Sequence, residues 1–111
     1  MVILKITFNV LPEKYKELEQ TLLSMSSDLS KIFGCKQADL WRDSKDENRL
    51  YMVSRWENRE KLDAFLGSDK LSALMGTKIL LKTMPSVSID AVVSSEGMEA
   101  IEKARSASQS G

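Results

Sequence analysis

The chain has 111 residues, with 16 basic and 16 acidic side chains and 42% hydrophobic residues, which describes one globular domain whose balanced charge draws it neither to nucleic acid nor to an acidic membrane surface. Histidine is absent and Cys35 is the single cysteine, so an imidazole base and a histidine-ligated haem are excluded, and the usual zinc ligands are too few to favour a zinc site. The lone cysteine makes no internal disulfide and points to a reducing compartment, the cytoplasm, and no apolar run nears the roughly 20 residues that cross a bilayer.

The opening MVILKITF reads as a strand and lacks the layout of a secretory signal. From Val2 to Val10 every even position is apolar, while the odd positions carry Ile3, Lys5, Thr7 and Asn9. Period two places the even face on the core. Pro12 suits a first helical turn, and Tyr15, Leu18, Leu22, Met25, Leu29 and Ile32 then recur at three- and four-residue steps. That stripe predicts one long helix of about 30 Å, closed by Gly34 in the left-handed position.

Cys35 to Asp43 is the second predicted strand, with Ala38 and Leu40 on one face and Gln37 and Trp41 on the other. The segment DSKDEN, Asp43 to Asn48, has turn composition and makes a hairpin with the next strand. In that strand Leu50, Met52, Ser54 and Trp56 share one face, and Tyr51, Val53 and Arg55 the other. At Asn58 the period changes. Asn58 is a good N-cap, Glu60 lies in the first turn, and Leu62, Phe65 and Leu66 form a helical stripe.

Gly67 ends that helix, and Ser68 caps a short third one in which Leu71, Leu74, Met75 and Ile79 share a face. Pro85 opens a last strand carrying Val87, Ile89, Ala91 and Val93. The order β-α-β-β-α-β predicts an α+β, ferredoxin-like split βαβ fold with one antiparallel sheet. Residues 1–94 form this domain, and 95–111 a C-terminal short helix, Glu96 to Arg105, with a flexible polar tail. The helices cover one sheet face only. The other carries Ile3, Trp41, Tyr51 and Val53, an apolar patch that predicts a homodimer laid face to face.

Several motifs stand in order along this chain: Gly34 with Cys35; Trp41, Arg42 and Asp43; Asn48 with Arg49; the run Arg55, Trp56, Glu57, Asn58, Arg59, Glu60; and Leu66, Gly67, Ser68, Asp69. Through them, over about residues 2 to 93, the sequence resembles the antibiotic biosynthesis monooxygenase family of dimeric α+β barrels. The resemblance implies a pocket between sheet and helices, lined by Ile6, Phe8, Leu40, Met52, Ser54, Trp56, Phe65 and Met75. It also implies chemistry that differs from member to member. Some oxidise phenols or anthrones with molecular oxygen and no cofactor, others degrade haem, and many have no assigned activity.

The haem degraders' tryptophan is matched by Trp56. Their asparagine falls at Ile6 or Thr7 and their histidine at Met75, which argues against haem. The family's more general glutamate and histidine fall at Ser54 and Phe65, neither of which titrates near neutrality. Two readings follow. One is a cofactor-independent, metal-free monooxygenase acting on a small hydrophobic aromatic, with Trp56 as the catalytic candidate and Ile6, Phe8, Leu40, Met52, Ser54, Phe65 and Met75 as substrate-binding residues. The other is a non-catalytic dimeric barrel that binds a small hydrophobic ligand or a protein partner. Met25, Met52 and Met75 read as core filler, Cys35 as a small buried apolar group, Tyr15 and Tyr51 as packing, and the charges between Arg42 and Arg49 as a solvated turn.

Overall fold

The computed structural model describes residues 1–110, with side chains through residue 108. Four strands, β1 (Val2–Asn9), β2 (Cys35–Arg42), β3 (Arg49–Trp56) and β4 (Ser86–Ala91), form one sheet in the order β2-β3-β1-β4. Every pairing is antiparallel. Between the strands lie α1 (Tyr15–Leu29), α2 (Arg59–Leu66) and α3 (Asp69–Met75), and α4 (Met98–Ser110) follows β4. This is the ferredoxin-like α+β arrangement that the alternation of periods predicts.

Register explains which face is dry. Ile6 pairs with Met52, Phe8 with Leu50 and Leu4 with Ser54, so the even positions of β1 and β3 share a face. They are buried under Leu18, Leu22 and Leu29 of α1, Leu62 and Phe65 of α2, and Leu74 of α3. β2 adds Ala38 and Leu40, half-buried against the same cluster. On the other face Trp41 is 54% exposed, and Ile3, Tyr51 and Val53 are partly open.

Local capping follows the sequence at α2, where the Asn58 side chain accepts from the Lys61 backbone N–H at 2.9 Å. It differs at α3. The Ser68 hydroxyl makes no cap and instead donates to the Phe65 carbonyl at 2.6 Å.

Helix α1 stops at Leu29, short of the expected end at Gly34. Two serine hydroxyls account for this: Ser26 Oγ donates to the Leu23 carbonyl and Ser30 Oγ to the Ser27 carbonyl, a competition that weakens a helix. The next backbone bonds, Lys31 to Asp28 and Ile32 to Leu29, are three-residue steps that tighten the chain into a turn. Gly34 sits at the end of that turn with φ +91°, where a left-handed residue is required.

After Met75 the helix tightens into a 3₁₀ turn, Gly76–Leu80, which rotates Ile79 outward to 78% exposure instead of onto the buried face with Leu74. Leu81 then bridges Val10 and closes the core edge. Val93 lies beyond β4 and is fully open. The polar segment expected to be a flexible tail continues α4 as far as Ser110, and Gly111 lies outside the described residues. Among the described residues no helix is long and apolar enough to cross a membrane.

Candidate active site

Strand β3 ends in Trp56, and the chain turns at once into α2. This brings Phe65, two turns into that helix, onto the indole: the rings stack with centroids 5.2 Å apart and planes 20° from parallel. Two residues back on the same strand face, Ser54 Oγ accepts the indole N–H at 2.9 Å. Trp56 is 0% exposed, so this bond replaces water for a donor that has no other use. Ile6, Phe8 and Met52 are equally buried around it. Leu40 and Met75 are half-buried and pack against the cluster.

Six of the eight residues expected to line a pocket, Ile6, Phe8, Met52, Ser54, Trp56 and Phe65, therefore meet in one closed core. Leu40 and Met75 stay partly open at its edge, and Phe65 borders a cavity. Its outer side forms a wall of a cavity of about 150 Å³ between α1 and α3, completed by Met25, Asp28, Leu29, Lys70, Ala73 and Leu74. The walls are apolar, and Asp28 and Lys70 carry the charge. A cavity of roughly this size holds one benzene ring. Sequence reasoning assigns Met25, Leu29 and Leu74 to the core and passes over Asp28, Lys70 and Ala73. The signal present was Asp28 next to Leu29 on the stripe of α1; what the sequence does not carry is where α3 crosses it.

A second depression, of about 360 Å³, adjoins the first. It shares Phe65 and Lys70 and continues past Ile32, Phe33, Lys61 and Ala64, with Ser68 and Asp69 on its rim beside Lys70. Phe33 is 79% exposed, and the Lys61 ammonium stands 4.2 Å from its ring centroid.

The hairpin between β2 and β3 is more built than a solvated turn. Asp43 Oδ1 accepts the backbone N–H groups of Lys45 and Asp46 at 2.8 and 2.9 Å, and the Tyr51 hydroxyl donates to Oδ2. Arg49 lies 3.9 Å from Asp43 and 3.4 Å from Asp46. The Tyr51 bond, then the two backbone donors, hold the Asp43 carboxyl down at about 2. Burial pushes the half-buried Cys35 thiol up, which leaves it a poor nucleophile. Among the described residues no group of three or more His, Cys, Asp or Glu side chains converges as a metal site.

The pattern that defines the antibiotic biosynthesis monooxygenases matches residues 1–76. No curated protein matches the chain. Among solved structures, a candidate antibiotic biosynthesis monooxygenase from Deinococcus radiodurans superposes with a TM-score of 0.81 at 18% identity, covering 87% of this chain and 97% of its own. Rv0793 from Mycobacterium tuberculosis gives 0.77 at 24% identity, over 86% and 98% of the two chains. PA3566 from Pseudomonas aeruginosa gives 0.72 at 22%, over 84% and 94%. At these identities the likeness is one of fold.

Proposed function

The chain belongs to the antibiotic biosynthesis monooxygenase family, and from that premise we propose that it is a cofactor-independent monooxygenase acting on a small, electron-rich hydrophobic aromatic. One observation carries the reading: an apolar cavity of about 150 Å³, walled by Phe65, with Asp28 and Lys70 beside it. Its volume suits a single ring. The ring lies against Phe65, which Trp56 fixes from behind, so Trp56 acts as a positioning residue and Phe65 as the contact. Asp28 accepts a proton from the phenol, and the Lys70 ammonium stabilises the phenolate.

The deprotonated ring carries carbanion character and passes an electron to oxygen. Recombination forms a C–O bond to a peroxide, which takes back the proton held on Asp28 and becomes a hydroperoxide. Loss of water, taking the hydrogen of that ring carbon with the outer oxygen, leaves a new carbonyl, so that one oxygen atom enters the product and the other leaves as water. The apolar walls of Met25, Leu29, Phe65 and Leu74 shield the ring from water on its inner side.

The protein works as a homodimer in the cytoplasm. Support for the dimer comes from the outer sheet face, where Trp41, Ile3, Tyr51 and Val53 stay open in a single copy, the kind of patch that a second copy covers. Oxygen uptake with a panel of hydroquinones and other single-ring phenols, in wild type and in Trp56→Phe, tests the activity. Turnover that drops in the variant is expected, and no uptake with any member overturns it. The second reading, a non-catalytic binder of the same ligands, is favoured by one feature: Ser54 and Trp56, the polar groups at the core side of Phe65, are bonded to each other and offer no base. Binding without uptake selects it.

A further inference from the structure

The cavity is too small for more than one ring, yet it does not end in a wall. Phe65 and Lys70 belong both to it and to the adjoining groove of about 360 Å³. Along one side the lining passes from Met25 and Leu29 of α1 in the cavity to Ile32 and Phe33, in the turn that follows that helix, in the groove. The groove's apolar surface comes from Ile32, Phe33 and Ala64, and Phe33 is kept in place by the Lys61 ammonium over its ring. At the junction stands Lys70, which makes no ion pair among the described residues within 4.0 Å. A cation at the meeting point of two apolar spaces marks where the polar group of a ligand lies between two apolar parts.

From this we infer that the ligand is an amphiphilic phenol: its ring fills the cavity, its hydroxyl stands at Lys70, and an apolar chain runs from there along the groove past Ala64 to Phe33. This rests on the reading of the cavity as the substrate site, and it adds the class of substrate. Gly34 is part of the arrangement. A Cβ there would stand 2.5 Å from Lys61 Cβ and 2.6 Å from Cγ, so only glycine lets the Lys61 stem cross the turn and reach Phe33.

The test is anaerobic calorimetry with hydroquinone, butylhydroquinone and octylhydroquinone, on wild type and on Ala64→Trp, an exposed substitution that fills the groove. In wild type each added methylene tightens binding about two- to threefold, somewhat below full burial because the groove is open on one side. In Ala64→Trp that gain with chain length disappears. Equal affinity for all three ligands in wild type overturns the inference and leaves the cavity as the substrate site. Binding of none of them overturns both. A chain-length gain that survives in Ala64→Trp overturns the inference, because the chain then lies elsewhere. An Ala64→Trp protein that sediments as a smaller species than wild type marks the groove as a contact between copies, and also overturns it.

Discussion

Replacing Ser54 with alanine isolates the bond that fixes the indole behind the site. Ser54 is 1% exposed and Trp56 0%, and the single contact between their polar atoms is the 2.9 Å bond from the indole N–H to Ser54 Oγ. The indole N–H is donor only, and in a closed core it finds no water, so the variant leaves a buried donor unmet. That costs about 1–3 kcal/mol, or roughly 4–12 °C in Tm at the lower end of the scale for small domains. Trp56→Phe removes the donor, and the double variant removes both partners, so the two single effects should sum to more than the double by about 1–2 kcal/mol. Urea unfolding at one fixed protein concentration measures all four proteins, with an unchanged m-value as the control. A Ser54→Ala cost within about 0.5 kcal/mol would mean that the indole reaches solvent or ligand space. The sealed placement of Trp56 behind Phe65 would then be wrong.

Three further outcomes are expected. Gly34→Ala forces a side chain into φ +91° and against Lys61, and should cost about 2 kcal/mol or more in the same urea assay, beyond the 1–2 kcal/mol of a left-handed residue alone. Asn58→Ala removes the α2 cap and should cost about 1 kcal/mol. Asp43 is held down from its ordinary 3.8 to about 2, so the folded state favours its charged form. Its stabilising contribution is complete above about pH 3.8 and is lost as pH falls to about 2; acid titrations of stability should show Asp43→Asn with a shallower fall than wild type across that window.

The centre of the sheet was legible because β1 and β3 keep one unbroken parity: Leu50, Met52, Ser54 and Trp56 face the same way in sequence and in the register with β1. Asn58 was legible for the same reason, since a local signal there meets no competitor. The end of α1 was not, because the apolar stripe runs on to Ile32 while the hydroxyls of Ser26 and Ser30 compete for the backbone before it. Ile79 kept helical spacing from Met75, but the 3₁₀ turn between them changed the rotation per residue and carried it outward. The cavity was hardest to read. Met25, Leu29 and Leu74 look like any core positions, and the open space between them depends on how far α3 stands from α1. The crossing of two helices leaves no mark at a single residue. For the same reason Phe65 was expected beside Trp56 at a pocket, while in the fold it closes the core on one side and walls the cavity on the other.

The six methionines offer the most direct view of where a ligand sits, because Met25 borders the cavity while Met1, Met84 and Met98 are exposed elsewhere. Methionine-methyl NMR of the protein titrated anaerobically with hydroquinone should move the Met25 resonance and give cross-peaks between its methyl group and the ligand ring, with Met1, Met84 and Met98 unmoved. Saturable binding that leaves Met25 untouched, or that shifts the exposed methionines instead, would contradict a substrate site between α1 and α3.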